Sequence, residues 1–331
     1  VNILWNVYRF PLPYMILDAF EPSTRNGIWD DSYVRTHTGH MPDEDRFIIS
    51  RINSVAATVD TALKGCQLHR ATRELVTFIL EDLSRWYVQL VRPRMWLEGE
   101  SDQKVFAYET MYYVMRRLTS LLAPFCPHLT EEIYQNLRCG NDPASIHLLD
   151  WDAGDSSLVE ASLEQAVGIV RSFDDACANA RQAGRRKLRW PVSEVVVVTS
   201  SEAVKGAIER LNAVCMDRAN ARKVSVITGK WDRIGWHAEP VMKALGKGFG
   251  KNSFKVKGLI EAADGNFLKA ETEVGRTVRL NTGNEVFDIR AEHVTFTEKL
   301  PADIFSAAMQ DATVNVDVRL DDDQETEGYE R

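Results

Sequence analysis

The chain has 331 residues and a formal net charge of -8, with 44% hydrophobic and 27% charged side chains. That length exceeds one comfortable core, so two or three domains are expected. No run approaches the roughly 20 apolar residues of a membrane span, the opening Val1-Asn-Ile-Leu-Trp5 lacks a signal peptide's basic start and cleavage site, and the acidic balance excludes an all-over polyanion binder. A local basic patch stays open, because phosphate binding depends on where lysine and arginine cluster.

Residues 1–150 read as helices almost throughout. After Pro42, the acids Asp43, Glu44 and Asp45 suit the positive end of a helix. Ile48, Ile52, Val55, Val59 and Leu63 then mark one buried face, and Gly65 is the expected stop. A second helix is predicted from about Leu68 to Val91. Leu75, Ile79, Leu83, Trp86 and Leu90 form its apolar side, while Glu81, Arg85, Gln89 and Arg92 stay wet. It ends at an elbow of Arg92, Pro93, Arg94 and Trp96, suited to gripping phosphate and stacking a base. A third helix uses Tyr108, Met111, Met115, Leu118 and Leu122 until Pro124, and a fourth follows Pro127 with Glu131 and Glu132 in its first turn. Short links between long amphipathic helices predict an antiparallel helical bundle.

Asn141-Asp142-Pro143 and Asp152 to Ser157 break the pattern, which puts a domain boundary near Asp150. Val159, Leu163, Ala166, Val170, Phe173, Cys177 and Ala180 predict a long helix ended by Gly184. Beyond it, Val195 to Val198, a helix with Val204, Ile208 and Leu211, and Val224 to Ile227 form a strand-helix-strand unit, most simply parallel. From Trp231 onward, Val256, Val278, Phe287 to Ile289, Val294 to Phe296 and Val314 to Val318 read as strands without a helical period. The acidic stretch from Asp321 is expected to fray. The predicted class is therefore multidomain, mainly α then α/β: a helical bundle over 1–150, a long helix with a strand-helix-strand unit over 151–230, and a small β-rich unit over 231–331.

Candidate chemistry is sparse. Cys66, Cys126, Cys139, Cys177 and Cys215 cannot all pair and show no C-x-x-C spacing, so reduced, mostly buried thiols and no metal are expected. His37-Thr-Gly-His40 has the H-x-G-H pattern of a nucleotide-binding signature, but no apolar strand precedes it. Gly246-Lys-Gly-Phe-Gly250-Lys-Asn252 departs from the phosphate-loop pattern at Leu245 and Asn252, and a turn with exposed lysines is the simpler reading, with a weak RNA contact as the alternative. Glu81-Asp82 and Glu131-Glu132 diverge by about 100° on a helix, which makes poor acid/base pairs. The strongest basic cluster is Arg181, Arg185, Arg186, Lys187 and Arg189, running into Trp190-Pro191. Cations at a helix C-terminus favour its dipole, but five exceed that need.

Several segments together resemble isoleucyl-tRNA synthetases of the archaeal and eukaryotic branch. They are Trp5 to Phe10, Asp45 to Ser54, Glu81-Asp-Leu-Ser-Arg-Trp-Tyr87, Ala123 to Tyr134, Lys187-Leu-Arg-Trp-Pro191 and Leu245 to Gly250. The first half fits any class I synthetase for valine, leucine or isoleucine, and the later motifs favour isoleucine.

The resemblance implies that 1–150 is a class I anticodon-binding domain within a longer ligase, whose catalytic and editing domains, with ATP and magnesium, lie before residue 1. No cofactor is then expected in this span. The implied partner is isoleucine tRNA, with neither DNA nor membrane, and the implied state is a cytoplasmic monomer. Unpaired anticodon bases can be splayed, stacked and read by their edges. On that logic Arg85, Arg92, Arg94, Arg185, Arg186, Lys187 and Arg189 position phosphates, and Asp82, Gln89, Trp96 and Trp190 contact bases. A valyl-type synthetase, a nucleotidyl-transfer enzyme built on His37 and His40, and a helical protein-docking scaffold are the rival readings.

Overall fold

The structure, a computed structural model, describes residues 1–22, 31–99, 101–283 and 285–330. Two compact units divide the chain, Val1–Gly168 and Ile169–Arg331.

The first unit is helical: α1 (Asn2–Arg9), α2 (Leu12–Leu17), α3 (Ser32–His37), α4 (Asp43–Lys64), α5 (Leu68–Thr77), a wide π-type stretch (Phe78–Tyr87), α6 (Val88–Trp96), α7 (Asp102–Leu122) and α8 (Pro127–Leu137). The face read from the sequence of α4 is the buried one, with Ile48, Ile52, Val55 and Val59 fully enclosed. It packs on α5 and α7. At its end Gly65 has φ -85°, and Cys66 takes the left-handed conformation instead. The amide of Gln67 then donates to the Ala62 carbonyl at 2.8 Å, which satisfies an otherwise orphaned acceptor.

Pro93 does not end the second long helix. The backbone stays helical from Leu68 through the π-type stretch to Trp96 and becomes extended only at Leu97. Helix α7 is buried nearly all round from Phe106 to Leu122, including Arg116 and Arg117, which both pair with Asp31. A helix without a polar face belongs inside a core, and its two arginines are tolerable there because a carboxylate meets them.

Helix α9 (Ala161–Ala183) spans the division between the units. The second unit continues with β1 (Glu194–Thr199), α10 (Glu202–Arg210), α11 (Asn212–Ala219), β2 (Val224–Ile227), β3 (Gly235–Pro240), α12 (Met242–Phe249), α13 (Ser253–Ala262), α14 (Gly265–Glu273), β4 (Val278–Thr282), β5 (Glu285–Ile289), β6 (Val294–Lys299), β7 (Ile304–Met309), β8 (Ala312–Asp317) and α15 (Asp322–Glu330). Strands β1 and β2 pair in parallel with Val195 opposite Val224, as the strand-helix-strand reading requires, although two helices rather than one connect them.

The region after Trp231 departs from its β-rich expectation. Val256 lies on α13, and its neighbours on α12 and α14 are helical too. Ala238, Leu245, Val256, Ile260, Leu268 and Ile289 build a separate core beneath the β3–β6 and β4–β5 pairs. Strands β7 and β8 are not part of it, because they complete a sheet of order β2-β1-β8-β7. Val195 stands opposite Val316 across the β1–β8 ladder. The acidic end is not frayed; it forms α15, whose Gln324 is fully buried and exchanges hydrogen bonds with Ser193.

Candidate nucleic-acid interface

In the first unit, the residues expected to meet RNA separate into two groups. Asp82 is buried, and its Oδ2 accepts a 3.0 Å ion-pair hydrogen bond from Arg51 Nε. Arg51 also donates to Glu74 at 2.7 Å. Arg94 forks onto Asp45 at 2.6 Å and reaches Glu44 at 3.0 Å, while the Tyr87 hydroxyl donates to Asp45 at 2.6 Å. Burial pushes the Asp45 carboxyl up, an effect opposed by Arg94 and Tyr87, and burial beside Asp45 raises the Tyr87 hydroxyl. Asp82 and Arg94 thus have internal partners, and their assignment to base and phosphate contact is corrected to a structural one. The π-type stretch carries Asp82 and Tyr87 inward together with Leu83 and Trp86.

The outward group remains. The Arg85 side chain is 70% exposed and, among the described residues, tied only to Glu81 one turn away at 2.7 Å. Gln89 is exposed beside it in sequence. Arg92 is half-buried, with its Nε enclosed, and its guanidinium lies 5.4 Å from the Phe10 ring centroid and 5.8 Å from that of Trp96, which itself is 56% exposed. An indole held by a cation yet open to solvent is a competent stacking surface.

In the second unit the basic cluster is a loop displayed by its own buried arginine. Arg181, the first residue of the basic cluster, is 1% exposed. Its guanidinium donates to the carbonyls of Ala219 at 2.6 Å, Lys187 at 2.9 Å, Leu188 at 3.0 Å and Trp190. Four carbonyl dipoles offset its charge, although burial still lowers its pKa. Arg185, the next residue but one after α9, holds φ +54°, and the Arg186 amide donates back to the Arg181 carbonyl at 2.8 Å. The preceding Gly184 is glycine for another reason: a Cβ there would stand 2.7 Å from the Phe305 ring. Arg185, Lys187 and Arg189 are exposed, and none has an ion-pair partner among the described residues.

Arg186 and Trp190 are partly committed to the fold. Arg186 donates to the Val318 carbonyl at 3.1 Å and lies 5.9 Å from the Trp190 ring. Trp190 meets Tyr329 edge-on at 5.1 Å and leaves no room for a Cβ at Gly328. Trp190, expected to contact a base, is half-buried and packs so as to anchor α15. Sequence reasoning missed the supporting roles of Arg51, Asp45, Tyr87 and Arg181, since each depends on partners that no local pattern announces.

The remaining motifs sit in different settings from the signatures they resemble. His37 ends α3, stacks on Tyr33 at 4.0 Å and bonds its carbonyl, rather than following a strand. A strand does lead toward Gly246, since β3 ends just before α12, but Gly246 and Gly248 lie within the helix rather than in a loop ahead of it. Cys177 and Cys215 are buried, whereas Cys66 is exposed; burial pushes the Cys215 thiol up to about 12. Among the described residues no three His, Cys, Asp or Glu side chains gather to hold a metal, and no helix is long and apolar enough to cross a membrane.

Residues 45–197, which include both exposed sets, match the family described as the anticodon-binding domain of tRNA ligase. Over its full length the chain is 66% identical to the isoleucine–tRNA ligase of Methanoregula boonei, 60% identical to that of Methanoculleus marisnigri and 40% identical to that of Methanosarcina mazei. It spans 32%, 31% and 31% of those proteins, about a third of their length.

Proposed function

We propose that this chain, which belongs to the isoleucine–tRNA ligase family and carries its anticodon-binding domain, binds the anticodon arm of isoleucine tRNA as the C-terminal portion of a longer ligase. The complete enzyme joins isoleucine to that tRNA with ATP and magnesium held elsewhere, and works as a cytoplasmic monomer on RNA rather than DNA. In this reading the helices of 43–137 form the antiparallel bundle of the class I anticodon-binding domain.

The observation that carries the proposal is the loop 185–189. Three cations without acidic partners are held out from a turn that a buried arginine fixes through four carbonyls. Like charges so close together repel, so the arrangement favours an incoming polyanion. Arg185, Lys187 and Arg189 take phosphates, as do Arg85 and Arg92 on the first unit. Gln89 can hydrogen-bond a base edge and Trp96 can stack on a base, which an unpaired loop permits and a duplex does not.

Binding of isoleucine tRNA across a range of salt tests this. Replacing Arg185, Lys187 and Arg189 together by alanine is expected to make the salt dependence shallower by about two to three units, at roughly 0.7 to 0.9 for each phosphate left unpaired. An unchanged slope in the triple variant would place the RNA elsewhere.

A further inference from the structure

The core built by 235–299 carries an open cavity of about 390 Å³ that the proposed anticodon contacts do not use. Lys243 and Lys247 line it from α12, one turn apart, so both ammonium groups leave the same side of the helix. Neither has an ion-pair partner among the described residues, although Lys255 and Lys257 nearby in sequence pair with Glu285 and Glu261. Two unneutralised like charges at this spacing disfavour the helix that bears them.

The third wall is His293, whose side chain is nine-tenths buried. Its Nδ1 accepts a 3.1 Å hydrogen bond from the Arg290 backbone amide, and its ring is held edge-on by Phe249 at 5.0 Å. An Nδ1 that accepts a hydrogen bond leaves the neutral ring's hydrogen on Nε2, which therefore acts as a donor. A Cβ at Gly248 would stand 3.4 Å from this Nε2, so glycine keeps the approach open. Glu292 also lines the cavity, with Oε1 at 3.7 Å from Nε2, and is 68% exposed. It opposes an anion, but two ammonium groups outweigh one exposed carboxylate.

We infer that Lys243, Lys247 and His293 Nε2 form a phosphate site that takes a backbone phosphodiester of the bound RNA, a contact separate from the anticodon loop. The inference rests on the RNA reading above. The ammonium groups supply charge and the imidazole supplies a fixed N–H direction, a combination that suits a tetrahedral anion better than a planar base.

The test uses the whole chain and isoleucine tRNA across a range of salt, comparing wild type with Lys243→Gln/Lys247→Gln, Lys243→Arg/Lys247→Arg and Glu292→Gln. These positions are exposed, so matching thermal melts would exclude misfolding. The glutamine variant is expected to bind several-fold more weakly with a salt slope about one unit shallower. The arginine variant should retain the slope, Glu292→Gln should bind more tightly, and the His293 ring resonances of wild type should shift on adding tRNA. Normal tRNA binding with an unchanged slope in the glutamine variant overturns this inference and leaves the anticodon reading intact. Failure of wild type to bind tRNA removes both. A His293 shift produced by inorganic phosphate, without any lysine effect on tRNA, would mark a free-phosphate site and overturn the RNA assignment.

Discussion

Arg185 combines a strained backbone with a proposed phosphate contact, which makes Arg185→Gly informative. An L-residue at φ +54° carries a left-handed cost of about 1–2 kcal/mol, because Cβ crowds the following carbonyl. Glycine removes that cost but loses about 0.5–1 kcal/mol more backbone entropy on folding. The expected net gain is about 0.5–1 kcal/mol, or a rise of roughly 1–4 °C in Tm for a unit of this size. The same change deletes one exposed guanidinium. Without its pairing to phosphate, the salt slope should fall by about 0.7–0.9 units and affinity near 0.1 M salt by about sixfold. Thermal melts followed by circular dichroism and tRNA titrations measure the two effects on one sample. Arg185→Lys separates them, since it retains both strain and charge and should leave stability and slope near wild type. A glycine variant that melts lower, or that binds tRNA with an unaltered slope, would refute the coupling.

The buried supports should show the opposite behaviour. Arg181→Met removes a donor from four carbonyls; Lys187 and Leu188 keep the Trp190 amide and the Asn220 side chain, so the carbonyls of Ala219 and Trp190 are left dry and the expected cost in urea unfolding is about 2 kcal/mol or more, at about 1–3 kcal/mol for each. Asp82→Asn removes one of the carboxylates around Arg51, which keeps Glu74 and Glu164, and should lower stability by about 1–2 kcal/mol, while the folded variant binds tRNA like wild type; Gln89→Ala should weaken binding with no change in urea midpoint. Asp317 gives a pH signature. Burial raises its pKa, but hydrogen bonds from Arg319 and Arg233 outweigh burial and set it below the ordinary value. A depressed folded pKa stabilises the fold fully above the unfolded value, and this stabilisation is lost as pH falls through the folded one. Asp317→Asn should therefore unfold at lower urea than wild type at pH 7, with the gap closing below about pH 4.

The helices of the first unit were legible because their apolar residues recur within one segment. Ile48, Ile52, Val55 and Val59 announce the α4 face from local spacing alone. The faces of Asp82 and Arg94 were not legible, for two reasons. Wheel reasoning assumes α-winding, whereas i→i+5 winding through Phe78–Tyr87 turns side chains progressively away from their expected direction. Their partners Arg51 and Asp45 also lie 31 and 49 residues away. Basic character at 181–189 was visible, but which arginine faces inward was not, since four carbonyls claim Arg181 only once the loop has closed. Helices α12 to α14 were hidden by shortness and by Gly246, Gly248 and Gly258. Packing of Leu245, Val256, Ile260 and Leu268 stabilises them where intrinsic propensity is weak. Pairing of β8 with β1, with Val195 opposite Val316, is a non-local choice that no strand pattern encodes.

The most direct measurement compares the affinity of this chain for isoleucine tRNA with its affinity for otherwise identical transcripts altered at each anticodon base. Loss of affinity is expected for at least one altered base, with Gln89→Ala or Trp96→Ala flattening that discrimination while leaving the salt slope unchanged. Equal affinity for every transcript would contradict anticodon reading and leave only a general RNA-binding surface.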